Sequence, residues 1–132
     1  MTITSDDFFR AGPFAVVGAS SDRSKFGNKV LRAYLDAGMT AYPVNPRGGE
    51  IEGLEAFTSL SELPETVQGV SIITPPSVTE QVVEEAAAHG AKAVWMQPGA
   101  ESLDAIRRAR ELGLEVLAGG PCVLVDLPRF GR

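Results

Sequence analysis

The sequence predicts a three-layer, doubly wound α/β domain, and three features of the chain lead to that prediction. Short apolar runs alternate with longer segments whose apolar residues recur at helical spacing. Glycine ends three of the helical segments, at Gly38, Gly90 and Gly113, and an apolar run follows each one. Glycine accepts the left-handed conformation that closes a helix, so each junction is a short helix-to-strand turn. This alternation is typical of a parallel sheet with helices on both faces.

Five apolar runs have the length of strands, and most are continuous rather than alternating, as expected for strands buried on both faces. They are Phe14–Ala19, Ala41–Asn45, Val70–Thr74, Ala93–Gln97 and Glu115–Ala118. Because helices separate them, we expect a parallel sheet of about five strands with the Rossmann-like order 3-2-1-4-5.

The predicted helices show an apolar repeat of about 3.6 residues. The repeats are Phe26, Val30 and Tyr34; Val78, Val82 and Ala86; and Ala105, Ala109 and Leu112. A short leading helix is predicted over Asp6–Arg10, with Ser5 as its cap. Between the second and third strands, Ile51–Phe57 predicts a small hairpin or turn, and Ser61–Pro64 predicts a single helical turn.

Size and charge limit the classes of function. A chain of 132 residues suits one domain, so residues 1–132 are interpreted as a single domain. The net charge of −5 opposes nucleic acids and anionic membranes as general partners, because both are polyanions. The longest apolar stretches are strand-sized, and the first residues lack the basic and apolar regions of a signal peptide. We therefore expect a soluble, cytoplasmic protein.

Reactive side chains are few. Cys122 is the only cysteine, which excludes an internal disulfide, and one cysteine with one histidine cannot form a typical zinc site. His89, the only histidine, precedes the helix-ending Gly90. There we expect it to complement the negative end of the helix rather than to take part in catalysis. The sequence thus predicts no catalytic residue and no metal site.

The most informative segment is the turn after the first predicted strand, which reads Gly18-Ala19-Ser20-Ser21 and continues to Lys25. Gly18 and Ala19 let the backbone approach a ligand closely, and the two serines offer hydroxyl and N–H groups. The next helix adds the partial positive charge of its N-terminus, and Lys25 adds a full charge. Because ligands of doubly wound sheets bind at this edge, these groups indicate a phosphate site.

A simpler interpretation of the same turn is that Ser21 or Ser24 caps a helix beginning near Ser24 or Lys25, with Lys25 a solvated charge. The turn matches neither the Walker A loop nor the G-x-G-x-x-G fingerprint, because the glycine after Gly18 is Gly27. Gly27 is instead expected to let the helix pack closely on the strand.

The end of the second strand discriminates between nucleotide ligands. An NAD site needs an acidic residue there to bind the ribose, and this chain has Asn45-Pro46-Arg47 instead. Arg47 could meet an extra ribose phosphate, which NADP and coenzyme A both carry. An ordinary Asn-Pro turn with an exposed arginine accounts for the segment equally well.

The ends of the third and fourth strands complete the candidate site. Thr74-Pro75-Pro76 would form a rigid wall, in which Pro76 suits the start of the next helix. Turn chemistry alone could also account for these prolines. After the fourth strand, Gln97 supplies a polar side chain and Gly99 a second point of close approach.

In their order and spacing, these segments resemble the small CoA-binding domain proteins. That family shares its domain with the N-terminal part of the succinyl-CoA synthetase α subunit and with ADP-forming acyl-CoA synthetases. The resemblance runs from about Phe14 to Val125. The matching segments are Val17-Gly18-Ala19-Ser20, Lys25-Phe26-Gly27, Pro43-Val44-Asn45-Pro46, Thr74-Pro75-Pro76 and Val94-Trp95-Met96-Gln97-Pro98-Gly99.

The resemblance implies a coenzyme A site in which separate segments meet separate parts of the ligand. These are Gly18, Ser20 and Lys25 at the pyrophosphate, Asn45, Pro46 and Arg47 at the 3′-phosphate end, and Thr74, Pro75 and Pro76 beside the adenine and pantetheine. Arg47 stands where the family often has lysine, which keeps the charge but alters its geometry. The segment Gly119-Gly120-Pro121-Cys122 also departs from a more polar family version.

The sequence therefore predicts a non-catalytic protein that holds coenzyme A or acyl-CoA at the carboxyl edge of the sheet. One alternative is an NADP-linked oxidoreductase, for which Tyr34 and Tyr42 are the plausible proton donors. Another is the CoA-binding subunit of a split acyl-CoA synthetase whose catalytic chains are separately encoded. The sequence leaves open whether the protein has a protein partner or forms a homo-oligomer.

Overall fold

The computed structural model describes residues 3–130, so residues 1, 2, 131 and 132 of the predicted domain lie outside it. Its strands are β1 Phe14–Val17, β2 Ala41–Val44, β3 Glu50–Ile51, β4 Leu54–Glu55, β5 Gly69–Ile72, β6 Ala93–Met96 and β7 Glu115–Leu117. Its α-helices are α1 Ser5–Arg10, α2 Phe26–Asp36, α3 Pro76–His89, α4 Leu103–Glu111 and α5 Val123–Asp126, with 3-10 turns at Leu60–Glu62 and Leu127–Arg129. Within residues 3–130, no helix is long and apolar enough to span a bilayer.

The predicted parallel sheet with helices on both faces is confirmed. Five strands pair in parallel in the order β2-β1-β5-β6-β7. Each begins within one residue of its predicted start and ends one or two residues before its predicted end. The last predicted residues leave the sheet to form turns, as Gly18 does with its φ of +96°. These turns line the edge where the candidate site was expected.

The expected strand order 3-2-1-4-5 is wrong in one respect, because the third strand of the sheet, β5, lies beside β1 and not outside β2. Phe57 already occupies the outer edge of β2. Its N–H donates to Pro43 O at 3.0 Å, and its carbonyl accepts from Asn45 N at 2.8 Å. With that edge occupied, the next strand pairs with the free edge of β1.

Two apolar layers cover the sheet, one on each face. Ala15 and Val17 of β1 point towards α3 and α4, where they belong to one cluster. Val16 and Trp95 point the other way, into a cluster with α1, α2 and α5. Successive strand residues therefore alternate between two buried faces, which is why the strands read as continuous apolar runs.

The short leading helix is confirmed, although Ser5 is its first residue and not its cap. Thr4 is the cap: its Oγ1 accepts from Asp7 N at 3.1 Å, and Asp7 Oδ2 accepts from Thr4 N at 3.3 Å. This reciprocal pair satisfies two N–H groups that a serine one residue later would leave free. The helix buries Phe8 and Phe9 against the sheet.

His89 lies in the last turn of α3, where its ring contacts the chain that leads into β5. Its Nε2 accepts a hydrogen bond from the backbone N–H of Val67 at 3.0 Å, which requires that nitrogen to carry no proton. Val67 is fully buried and leads into β5. The imidazole therefore satisfies a buried backbone donor at the start of a central strand.

Candidate functional site

The candidate site is the carboxyl edge of the sheet, which we define as the turns after β1, β2, β5 and β6. The strand order reverses direction between β1 and β5, and ligands of doubly wound sheets bind in the crevice at such a switch point. The sequence-predicted residues all follow these four strands. They are Gly18, Ala19, Ser20, Ser21 and Lys25 after β1; Asn45, Pro46 and Arg47 after β2; Thr74, Pro75 and Pro76 after β5; and Gln97 and Gly99 after β6.

Gly18 is required both by its conformation and by its neighbour. Its φ is +96°, and a Cβ on it would lie 1.9 Å from Ile73 O, on the adjacent strand end. Gly27, at the start of α2, is equally close: its Cβ would lie 2.0 Å from Gly18 O. The turn after β1 is thus closed against β5 on one side and against α2 on the other, as the small residues predicted.

Asn45 joins the turns after β1 and β2. Its Nδ2 donates to Ala19 O at 2.8 Å, and its Oδ1 accepts from Arg47 N at 2.8 Å. The first bond fixes the distance between the two turns, and the second folds the chain back after Pro46. Asparagine therefore serves here as a structural connector, in the position where an NAD site has an acid.

The N-terminus of α2 is uncapped. Lys25 occupies the cap position, and no side chain in the described part of the chain caps the first turn. Ser24 is not a cap, because its N–H and hydroxyl both donate to Asp22 Oδ1, at 2.9 and 2.7 Å. The expectation that Ser21 or Ser24 caps this helix is therefore wrong. The helix N-terminus keeps its partial positive charge and free donors, which suits an anion.

Charged side chains concentrate around this helix start. Arg23, Lys25 and Arg47 are all exposed there, although the chain as a whole has a net charge of −5. Two acids lie among them: Glu52 pairs with Arg23, and the hydroxyl and N–H of Ser24 hold the pKa of Asp22 below its ordinary value. The cations make the carboxyl edge locally attractive to an anionic ligand.

Sequence reasoning missed a buried polar network beneath the turn after β1. Asn28 is fully buried, and its Nδ2 donates to Ser20 O at 2.8 Å and to Glu52 Oε2 at 3.1 Å. Its Oδ1 accepts from Arg32 Nε at 2.7 Å, and Arg32 Nη2 donates to Arg23 O at 3.0 Å. The network holds both ends of the segment from Ser20 to Arg23, so the turn is fixed before any ligand arrives.

The turn after β5 forms the opposite wall of the crevice. The helix α3 begins at Pro76, as predicted, and it too lacks a side-chain cap. Thr74 Oγ1 lies 2.7 Å from Oγ1 of the buried Thr79, which holds the two prolines against the first turn. By contrast, Ser102 Oγ caps the outer helix α4 through Ala105 N at 3.0 Å. Both helices that flank the switch point are uncapped, as is the short α5, whereas α1 and α4 have side-chain caps.

The two residues after β6 play different parts. Gln97 is fully buried, and its Oε1 accepts from Val123 N at 3.0 Å, which ties the turn to the start of α5. Its Nε2 is buried without a partner. Gly99 has a φ of +95° with open space where a Cβ would stand. Glycine at this position is needed for the backbone conformation rather than for close packing against another protein group.

Several cavities lie away from this edge, among them two of similar volume. One of about 460 Å³ is lined by residues that include Ser59, Ser61 and His89, at the end of α3. The other, of about 490 Å³, reaches Lys92 and Ala93 at the start of β6. Both lie towards the amino ends of the strands, so they are alternatives to the carboxyl edge rather than parts of it.

The fold and the edge geometry define a doubly wound domain whose crevice at the switch point is lined by exposed cations and two uncapped helix N-termini. The sequence model of the CoA binding domain family matches residues 13–128. The chain belongs to that family. The match covers every residue of the candidate site.

Individual relatives fall into two groups. The ADP-forming acetate–CoA ligase II subunit alpha of Pyrococcus furiosus is 36% identical over 90 residues, which are 67% of this chain and 20% of the relative. The chain thus spans about a fifth of that subunit. The uncharacterized protein YneT of Bacillus subtilis is 31% identical over 82% of this chain and 80% of its own. A solved conserved hypothetical protein from Pyrococcus furiosus is 42% identical, with a TM-score of 0.80, over 86% of this chain and 97% of that one.

Proposed function

We propose that this protein binds coenzyme A or an acyl-CoA at the carboxyl edge and performs no chemistry of its own. The observation that carries the proposal is the uncapped N-terminus of α2, with Lys25 at the cap position. Gly18 and Asn45 hold the turn above it in place. A pyrophosphate would meet backbone donors, a helix N-terminus and a lysine in one place.

The choice of coenzyme A over NAD is supported by the end of β2. Asn45 uses both ends of its amide within the protein, and no acid stands there to accept bonds from a ribose diol. Arg47 is exposed, and its N–H bond to Asn45 holds the turn that carries it. A guanidinium so placed suits the 3′-phosphate that distinguishes coenzyme A from its dephosphorylated form.

The NADP-linked oxidoreductase is less well supported, because neither candidate proton donor lies at the carboxyl edge. The hydroxyl of Tyr34 is buried and lies 2.7 Å from Ser71 Oγ, and burial raises the pKa of Tyr34. The hydroxyl of Tyr42 donates a hydrogen bond to Glu65, and that hydrogen bond raises the pKa of Tyr42. Both phenols are engaged within the protein.

A second candidate is the CoA-binding subunit of a split acyl-CoA synthetase. The match to a fifth of the acetate–CoA ligase subunit alpha favours it. The near full-length match to the small Pyrococcus protein favours the first candidate, a CoA-binding protein without a catalytic partner chain. Both candidates share the same ligand site, and we propose a cytoplasmic location for either one. They differ in whether a second chain is needed.

The proposal is tested by melting curves with coenzyme A, acetyl-CoA, NAD, NADP and ATP. A ligand at about a hundred times its Kd adds about 2.7 kcal/mol of apparent stability, so a binder raises Tm visibly. We expect coenzyme A or acetyl-CoA to raise Tm more than NAD does. A shift with NAD or NADP and none with coenzyme A would contradict the proposal.

Lys25→Ala supplies the matching site test. We expect it to weaken coenzyme A binding by about 1.5–3 kcal/mol, the scale of hydrogen bonds to charged groups, with little change in Tm without ligand. Lys29→Ala, one turn further along α2 and also exposed, is the control. If the Lys25→Ala and Lys29→Ala proteins bind coenzyme A with equal affinity, Lys25 is a solvated charge that does not contact the ligand.

A further inference from the structure

We propose that Glu52 lowers the affinity of the carboxyl edge for its ligand by forming an ion pair with Arg23, and that Arg23 exchanges this partner for the ligand's pyrophosphate on binding. The inference rests on the proposed function and adds a residue that tunes it. Glu52 is at the tip of the β3–β4 hairpin, outside all the segments that the sequence assigned to the site.

The contacts of Glu52 place its carboxylate beside the anion turn. Its Oε2 lies 3.3 Å from Arg23 Nε, and it accepts from Asn28 Nδ2 at 3.1 Å. The same Asn28 nitrogen donates to Ser20 O, so one amide group touches both the turn and the carboxylate. Only 21% of the Glu52 side chain is exposed, against 66% for Arg23. A negative charge is therefore held in place where the site would receive a negative ligand.

The backbone of Glu52 shows that this placement is not a simple product of turn preference. Its φ is +51°, and no other described residue except glycine has a positive φ. Gly53 follows with a φ of +79°, and a two-residue hairpin turn of this kind favours asparagine or glycine in both places. Strained residues of this type cluster at functional sites.

Arg23 is arranged so that its side chain can change partner while its backbone stays fixed. Its carbonyl accepts from Arg32 Nη2 at 3.0 Å, which anchors the main chain. Its guanidinium is mostly exposed and, among residues 3–130, makes one ion pair, with Glu52. A phosphate arriving at the turn would be attracted by Arg23 and repelled by Glu52, so the affinity reflects the difference between the two.

The test is Glu52→Gln, which keeps the length and an oxygen acceptor for Asn28 and Arg23 but removes the charge. Wild type and variant are titrated by calorimetry with coenzyme A and with inorganic pyrophosphate at two salt concentrations. We expect Glu52→Gln to bind both probes about threefold to tenfold more tightly, and with a steeper salt dependence, because the edge becomes more positive by one charge.

Glu55→Gln, exposed on the same hairpin, is the control and should bind like wild type. Weaker or equal binding by Glu52→Gln, with Tm unchanged, would overturn the inference and would mean that Glu52 only orders the turn. The two proposals fail separately. Wild type that does not bind coenzyme A overturns the proposed function, whereas Glu52→Gln that binds pyrophosphate no more tightly than wild type overturns the role of Glu52.

Discussion

The side-chain amide of Asn45 donates a hydrogen bond to the carbonyl oxygen of Ala19 over 2.8 Å, and so joins the ends of two neighbouring strands. Its Oδ1 is used as well, in the bond from Arg47 N. One side chain therefore sets both the spacing of the turns after β1 and β2 and the position from which Arg47 extends. Binding at the carboxyl edge should be sensitive to it.

Asn45→Ala should lower the free energy of unfolding by about 1–2 kcal/mol, because it removes two hydrogen bonds of which one partner is a partly buried carbonyl. It should also weaken coenzyme A binding. Urea unfolding and calorimetry measure the two effects. Asn45→Asp keeps the acceptor for Arg47 N but loses the donor to Ala19, so it should retain the turn after β2 only. Unchanged affinity in both variants would show that the spacing of the turns does not matter.

Three glycine substitutions separate backbone strain from steric closure. Gly99→Ala meets strain alone, since its φ is +95° with open space around it, and should cost about 1–2 kcal/mol. Gly27→Ala introduces only a steric clash with a neighbouring backbone atom, and Gly18→Ala introduces both the clash and the backbone strain. Each should cost about 3 kcal/mol or more, because the atoms in the way are backbone. If urea unfolding finds Gly18→Ala no worse than Gly99→Ala, the turn is not closed against β5.

Arg47 should distinguish coenzyme A from dephospho-CoA. If its guanidinium meets the 3′-phosphate, wild type should prefer coenzyme A by about 1 kcal/mol or more, the scale of an exposed charge pair. Arg47→Ala should shrink that preference, whereas Lys29→Ala should preserve it. Calorimetric titration of both ligands at fixed salt measures the difference. An equal loss for the two ligands would mean that Arg47 does not recognise this phosphate.

The ion pair between α3 and α4 should make the free energy of unfolding depend on pH in the acidic range. Arg108 donates to Glu84 Oε2 at 2.5 Å and Oε1 at 3.1 Å, and these bonds lower the pKa of Glu84 from its ordinary 4.5. A carboxyl group whose pKa is lower in the folded state than in the unfolded state stabilises the fold at pH values above the unfolded-state pKa. This stabilisation is lost as the pH falls through the folded-state pKa. Wild type should thus exceed Glu84→Gln in stability at pH 7, and the difference should begin to shrink as the pH falls below 4.5 and vanish only below the lowered folded pKa. A gap that persists in acid would contradict this assignment.

The strands and the positions of the candidate-site residues at the sheet edge could be predicted because each depends on local sequence. Continuous apolar runs identify buried parallel strands, and the residues directly after them must line one edge. The strand order could not be predicted in the same way. It depends on Phe57, a single residue that pairs with β2 from within an irregular segment and carries no strand pattern of its own.

The network around Asn28 shows where local reasoning ends. Asn28 lies three residues before the buried Leu31, so its inward position could have been inferred from helical spacing. Its partner Glu52 could not, because the two residues are 24 positions apart and meet only through the hairpin. Cys122, which is partly buried at the start of α5, likewise has no function that the sequence or its surroundings assign.

The measurement that tests coenzyme A binding at the carboxyl edge most directly is a titration of nitrogen-15-labelled protein with coenzyme A, followed by amide chemical shifts. We expect the amide signals of Ser20, Ser21 and Arg47 to move with a common Kd. Those of Ser61 and His89, at the cavity of about 460 Å³, should stay in place. Shifts that cluster around Ser61 and His89 while the edge residues do not move would contradict this expectation.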